Sequence, residues 1–224
     1  MATSDPATAL VDGPLDLTMM LAIHSALRRD VAHLARAAGH HRTDDTRHRT
    51  ALLAGWEVFK TQLHAHHTGE DADLWPRMRA RLADCPDDLA LLHAMDDEHA
   101  RIDPLIAAVE GALADHDDGH HRLGDTVDAF TTELTGHLAH EERDALPLIN
   151  RSLTRADWRA FEASQRRKTG LRGAAEFLPW LLGGTTAAEA QAILHRMPPP
   201  VRLVYRRRWQ PRYTLHDRWE PATR

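Results

Sequence analysis

The stretch HHTGEDADLWP, residues 66–76, contains a histidine that precedes a glutamate by four positions and a proline by ten. On a helix this spacing places an imidazole and a carboxylate on one face, close enough to bind one metal ion. The arrangement recurs in HLAHEERDALP, residues 137–147, with His, Glu, Asp and Pro at the same offsets. The two copies therefore predict half of a metal site, on helices whose partners complete it.

Outside these two stretches, apolar residues recur at alternating spacings of three and four, as expected for helices with one buried face. Four such runs begin near Leu17, Leu52, Leu92 and Phe130 and are joined by short connections. No segment alternates with a period of two, so a sheet is not expected. The pattern predicts an all-α protein, an up-down-up-down four-helix bundle with a C-terminal helical extension. Pro104 is expected to kink the third helix.

Charge and composition predict three parts. Residues 1–14 hold two prolines and a glycine and are expected to form a leader, and residues 15–150 are expected to form the bundle with a di-metal site. Residues 1–150 contain 13 basic and 27 acidic side chains, whereas residues 151–224 contain 15 basic and 6 acidic ones. Opposite charges predict that the basic extension packs on the acidic bundle.

The compartment is predicted from three features. Cys85 is the single cysteine, so no disulfide framework exists and a reducing environment is expected. No run approaches the length of a membrane span, so no membrane partner is expected. The first residues show no basic and apolar signal pattern. We therefore expect a cytoplasmic protein.

Each predicted helix carries a histidine on its apolar face. One such histidine is more often a hydrogen-bonded core residue than a ligand. Counting residues to the turns, however, places all four at similar heights in the bundle. Four imidazoles and two carboxylates are too polar to bury unpaired, and a metal pair resolves that cost. The predicted ligands are His24, His66, Glu70, His99, His137 and Glu141.

This donor set favours two iron ions over zinc, because zinc is usually satisfied by four tetrahedral ligands and mixed nitrogen and oxygen donors suit iron. If both glutamates bridge, each iron receives two histidines, two carboxylate oxygens and an oxo or hydroxo bridge. That leaves a position for a small diatomic molecule or peroxide. No cofactor beyond the metal is expected.

The pattern now resembles a known family, the hemerythrin-like or HHE cation-binding proteins, over about residues 15–150. The residues that carry the resemblance are His24, His66-x-x-x-Glu70, His99 and His137-x-x-x-Glu141. The resemblance implies a helical bundle with a µ-oxo type of di-iron centre that reacts with O2, peroxide or NO. Oxygen-carrying hemerythrins have a second histidine four residues after the one on the third helix, where this chain has Asp103, and an aspartate where it has Glu141. The pattern is closer to the bacterial branch that acts in stress response and iron-cluster repair.

Other polar residues near the site leave alternatives open. Three histidines lie off the apolar faces and are interpreted as supporting or surface residues, with the last as the best candidate for an added ligand: His67, His93 and His140. Glu142 could replace Glu141 as ligand if a π-bulge forms near Pro147. A ferritin-like oxidase would need a Glu-x-x-His pair on two helices, which this chain lacks.

The C-terminal quarter admits two interpretations. Arginines interleaved with aromatic residues in Val201–Trp209 could bind nucleic acid. They could also belong to a helical cap whose arginines neutralise the acidic bundle. The apolar run Phe177–Leu182 favours docking, so we expect a cap and no nucleic-acid partner. Within this region Gly170 and Gly173 are expected to break the first helix, and Thr185 to begin the next. The oligomeric state stays open.

Two functional classes stay open at this point. One is a di-iron protein that reacts with O2, peroxide or NO in oxidative or nitrosative stress, with or without turnover. The other is a non-enzymatic sensor or carrier of O2, NO or iron that signals through its basic extension. Both need the same free coordination position, so the residues do not choose between them.

Overall fold

A computed structural model describes residues 13–39, 45–115 and 118–220 of the chain. Within these ranges every regular element is a helix, apart from an isolated bridge between Arg218 and Glu220. The all-α prediction is confirmed for these ranges. Most of the predicted leader, residues 1–12, lies outside the described residues. Among the described helices, none combines the length and apolar character that a membrane span needs.

The four predicted helices are all present, and two of them continue through short π-helices. In chain order the elements are α1 (Thr18–Gly39), α2 (Thr46–Gly69), π1 (Glu70–Leu74), α3 (Trp75–Arg81), α4 (Pro86–Ala114), α5 (Gly119–His140), π2 (Glu141–Ala145) and α6 (Leu146–Ser152). The extension follows as α7 (Arg155–Leu182), α8 (Ala187–His195), α9 (Pro199–Val204), π3 (Tyr205–Trp209) and α10 (Gln210–Tyr213). Because α2, π1 and α3 are contiguous, as are α5, π2 and α6, each set forms one long helix.

Every π-helix is followed by a proline at a fixed distance. Pro76, Pro147 and Pro211 lie six residues after the first residue of π1, π2 and π3. A proline has no N–H to donate to the carbonyl four residues earlier, so regular α-helical bonding fails there. The chain bonds over five residues instead, and the N–H of Trp75 donates to the carbonyl of Glu70. Two of these π-helices, π1 and π2, begin at the predicted carboxylate ligands Glu70 and Glu141.

Three local predictions meet different outcomes. Helix α4 continues through Pro104 to Ala114, and the kink expected at this proline stays a prediction. Gly170 adopts a φ of 57° and kinks α7, as predicted, because only glycine takes that conformation without strain. Helix α8 is capped by Thr186 through a reciprocal pair of hydrogen bonds with Glu189. The predicted cap was the preceding threonine, and the glutamate three residues after Thr186 is what decides between them.

The interior contains two apolar clusters with the predicted site residues between them. On α1, Met20 belongs to one cluster and Leu27 to the other, and His24 lies between them. Helix α4 and the continuous helices α2–π1–α3 and α5–π2–α6 likewise carry members of the two clusters on either side of their histidines. The site is therefore a polar layer enclosed by apolar packing above and below.

The extension packs on the bundle through apolar side chains. Trp180, Tyr205 and Trp219 are buried in the same cluster as the apolar residues of α1 and α2. The indole N–H of Trp180 donates to Asp30 at 2.8 Å, in a buried hydrogen bond to α1. The arginines of Arg206–Arg208 stay exposed and form no ion pair with any described residue. Docking of this part of the extension therefore rests on apolar contact and not on charge neutralisation by these arginines.

Trp219 anchors the last described residues to α2. Its φ is 68°, its N–H donates to the carbonyl of Ala51 at 2.7 Å, and its ring lies against Gly55. A Cβ atom on Gly55 would clash with that ring. Glycine is therefore required at this crossing by the close approach of the indole.

Replacing Gly55 with alanine is expected to lower the free energy of unfolding by about 1–3 kcal/mol, because the indole must move. Gly111 gives a matched control, since it is helical and a Cβ there would meet nothing within 4 Å. Gly111→Ala is expected to raise the free energy of unfolding by about 0.5–1 kcal/mol through helix propensity. Urea denaturation followed by circular dichroism measures both. Equal effects of the two substitutions would contradict the packing of Trp219.

Candidate metal centre

The six residues predicted as ligands lie together in the polar layer. Glu70 and Glu141 have exposures of 1% and 0%, and the four histidines are buried as well. In one group, a nitrogen or oxygen ligand atom from each side chain lies within 4.8 Å of the others; the group consists of His24, His66, Glu70 and Glu141. A second group meets the same limit; its members are His67, His99 and His137. The structure thus brings all six together and adds His67.

The histidines form two perpendicular pairs. His24 and His66 have ring centroids 5.0 Å apart and an interplanar angle of 76°. His99 and His137 also meet at 76°, and their Nε2 atoms are 3.1 Å apart. Two imidazole nitrogens at about 2.1 Å from one metal, at right angles, lie about 3 Å apart. The spacing of the His99–His137 pair therefore fits one metal ion.

The two carboxylates lie between these pairs. Glu70 is 3.3 Å from Nδ1 of His66 and 3.7 Å from Nε2 of His99, so it contacts one histidine of each pair. Glu141 is 3.2 Å from Nε2 of His24 and 3.9 Å from Nε2 of His137. A carboxylate with one oxygen toward each of two cations bridges them. Glu70 has this arrangement, because different oxygens face His66 and His99, whereas a single oxygen of Glu141, Oε2, lies near both His24 and His137.

Carboxylates outside the polar layer orient two of the rings. Nδ1 of His99 donates to Asp71 at 2.8 Å, and Nδ1 of His137 donates to Glu98 at 2.8 Å. Each bond orients its ring so that Nε2 faces the partner ring. Metal-binding histidines are commonly held this way, because the outer carboxylate fixes the ring and increases its basicity.

Glu142 has the same role toward His24. It accepts from Nδ1 of His24 at 2.9 Å and from the guanidinium of Arg28 at 2.6 Å. The π-helix that would have allowed Glu142 to replace Glu141 is present, yet Glu141 is the fully buried carboxylate of the two. The structure therefore places Glu141 inside the cluster and Glu142 behind it.

The electrostatics of the layer leave a shortage of positive charge. Burial lowers the pKa of His24, but the charge of Glu141 together with the hydrogen bond and charge of Glu142 outweigh it and raise this pKa to about 9. Burial and the charge of His24 lower the pKa of His66 well below its usual value. Burial and the charge of Glu141 raise the pKa of Glu70 well above its usual value. A protonated His24 therefore balances the charge of Glu141, whereas Glu70 needs a proton or a bound cation.

Several buried polar atoms of the layer have no hydrogen bond of acceptable geometry among the described residues. They are Nε2 of His24 and His66, and both side-chain oxygens of Glu70 and Glu141. An unsatisfied buried polar atom costs about 1–3 kcal/mol, and more if it is charged. Their lone pairs face one another, as the donors of a cation site do. These residues therefore fit a bound metal pair.

His67 is the buried residue that the sequence interpretation placed outside the site. Its exposure is 7%, and its ring stacks on His99 with centroids 4.0 Å apart and an interplanar angle of 12°. A metal bound by imidazole lies in the ring plane, and two stacked parallel rings share no in-plane point. In this arrangement His67 supports His99 and does not bind the same ion. The sequence does contain a signal for the burial of His67. It lies four residues after Leu63 and seven before Leu74, and both leucines are fully buried.

Glu98 holds two histidines, since it also accepts from Nδ1 of His140 at 2.7 Å. Replacing Glu98 with glutamine puts an amide N–H in place of one oxygen, so the side chain no longer accepts from both rings. We expect metal affinity to fall about 10–100-fold. Competition with a chromogenic chelator measures this change. Asp97→Asn is the control, because Asp97 is the exposed neighbour on the same helix, and an equal loss in both variants would contradict the role of Glu98.

Comparison with protein families matches residues 15–149 to the hemerythrin HHE cation-binding domain. The chain belongs to the hemerythrin HHE family. Domains of this family bind metal ions, typically iron, and the His and Glu clusters of this member fit such a site. Neither the search of curated proteins nor that of solved structures found a match.

Proposed function

We propose that this hemerythrin-family protein is a non-haem di-iron protein, bridged by an oxo or hydroxo group, which reacts with O2, peroxide or NO in oxidative or nitrosative stress. The proposal rests on one observation: two buried carboxylates lie between two pairs of histidines, and the rings within each pair are nearly perpendicular. The proposed ligands are His24, His66, Glu70, His99, His137 and Glu141. The proposed frame is an up-down-up-down bundle of α1, α2, α4 and α5 in a cytoplasmic protein.

Iron is favoured over zinc by the composition of the donor set. Each imidazole pair shares two carboxylates with the other pair, so these six residues would hold two iron ions and would leave room for a small ligand. A structural zinc site would be closed by four ligands. A bound iron pair supplies reversible redox chemistry toward small oxidants. The protein itself encloses the site between two apolar clusters.

The proposed division of the chain follows the site. Residues 15–150 would form the functional bundle and residues 151–224 an extension that packs on it, with residues 1–14 as a leader. We place the protein near the stress-response and iron-cluster repair branch of the family, because Asp103 and Glu141 differ from the oxygen carriers. A small diatomic molecule or peroxide is the proposed ligand, and no nucleic-acid partner is proposed.

The reaction is tested by adding hydrogen peroxide to the iron-loaded protein and measuring O2 release. We expect turnover in the unmodified protein and a loss of about tenfold or more in His24→Ala, since a ligand matters at least as much as the groups that orient it. His93→Ala is the matched control, because His93 is exposed on α4. Unchanged turnover in His24→Ala would contradict a role for the centre in the reaction.

A second candidate function, sensing of O2, NO or iron, is favoured by one specific contact. Asp73 lies in π1, three residues after Glu70, and α7 of the extension binds it twice: Gln165 donates at 2.8 Å and Lys168 pairs at 2.8 Å. A shift of Glu70 on ligand binding would therefore reach the extension directly. Limited proteolysis of residues 170–220 in the oxidised and reduced protein tests this. Redox-dependent cleavage without peroxide turnover would favour the sensor over the enzyme.

A further inference from the structure

A polar cleft of about 350 Å³ opens between α2 and α4 beside the metal centre. His67 and His99 form part of its wall, so the cleft is continuous with the polar layer. Three carboxylates also line it, from Asp71 on π1 and from Asp96 and Asp103 on α4. The cleft therefore joins an acidic surface to one side of the cluster.

The negative charge of this cleft is only partly balanced. Asp96 pairs with Arg79, and Asp71 accepts the hydrogen bond from His99. Asp103 is exposed and has neither an ion pair nor a side-chain hydrogen bond with any described residue. It lies four residues after His99 on the same helix, which places the two on one face. The cleft thus presents a free carboxylate about one helical turn from the cluster.

His67 supplies a second, independent feature at the inner side. It is buried, yet its Nε2 atom has no hydrogen-bond partner among the described residues. Its ring stacks on His99 and meets His137 edge-on, with centroids 5.4 Å apart. An imidazole nitrogen without a partner, at the junction of an acidic cleft and a metal cluster, is a ligand suited to a passing cation.

We propose that this cleft is the route by which divalent metal cations load the centre. Asp103 attracts the cation at the mouth, and His67 binds it transiently before it reaches His99 and His137. The inference rests on the proposed function, because it needs a metal centre to be filled. Neutral molecules such as O2, NO and hydrogen peroxide gain little from carboxylates, so the chemistry of the cleft selects cations.

The test follows uptake of ferrous iron by the full-length metal-free protein under anaerobic conditions. A chromogenic chelator reports the free ion in a stopped-flow instrument, and the final iron per chain is measured separately. The variants are Asp103→Asn, His67→Leu and, as control, Asp97→Asn, which removes the same charge from α4 but does not line the cleft. Each variant is compared at low and high ionic strength.

We expect Asp103→Asn to slow uptake by about fivefold or more relative to Asp97→Asn at low salt, and the difference to shrink at high salt. We expect His67→Leu to slow uptake as well, and an unchanged rate in this variant would overturn the transient role of His67. Equal rates in the two aspartate variants would overturn the proposal. A final content in the unmodified protein other than about two irons would overturn the di-iron proposal alone, whereas no uptake at all would overturn both.

Discussion

Replacing Glu141 with glutamine is expected to reduce bound iron from about two ions per chain to one or fewer, the amount that the remaining ligands retain. Glu141 is fully buried and lies within 4.0 Å of His24, His66 and His137, so its carboxylate serves both imidazole pairs. Glutamine has nearly the same volume and no charge. The substitution therefore removes the bridge without opening a cavity in the core.

Iron analysis of the purified variant, together with its absorption spectrum, measures this effect. Glu133→Gln is the control on the same helix, because Glu133 makes a surface ion pair with Arg101 and lies away from the cluster. The control is expected to keep the iron content of the unmodified protein. Full iron content in Glu141→Gln would show that this carboxylate does not bind the metals.

Replacing Trp180 with alanine is expected to lower the free energy of unfolding by about 3–5 kcal/mol. The indole has an exposure of 1% and is packed between the extension and the bundle. Its removal leaves a cavity and also takes the hydrogen bond from the buried Asp30. An unpaired buried acceptor adds about 1–3 kcal/mol, so the effect is expected toward the upper end of the range.

Chemical denaturation of the two variants Trp180→Ala and Leu171→Ala tests this packing. Leu171 lies on the same helix with an exposure of 76%, so its truncation is expected to change stability by less than about 0.5 kcal/mol. Trp180→Phe separates cavity from hydrogen bond, since the ring volume is largely kept. A small effect in Trp180→Ala would mean that the extension does not dock as described.

Much of the helical content and the gathering of the six polar residues could be predicted from periodicity. Spacings of three and four place residues on one helical face whatever the details of packing, so His24 and His99 were assigned to buried faces correctly. The sequence also allows a π-bulge near Pro147, where the structure has π2. The form of the distortion depends on hydrogen bonds that the spacing does not specify.

The remaining features depend on contacts between elements. His67 is buried because α2 packs against α4 at that height, whereas its position beside His66 suggested a partly exposed face. Glu98 and Asp71 reach histidines on other helices, which no local pattern reveals. The extension contacts the bundle through the buried Trp180 and Trp219 as well as through ion pairs such as that of Lys168 with Asp73, so the charge contrast accounts for only part of the contact.

The most direct test of the central claim is the metal content of aerobically purified protein, measured together with its absorption spectrum. Two imidazole pairs joined by two buried carboxylates predict about two irons per chain, with the charge-transfer bands of an oxo-bridged pair. Stoichiometric zinc, or a folded protein that holds no metal after reconstitution with ferrous iron, would contradict the account.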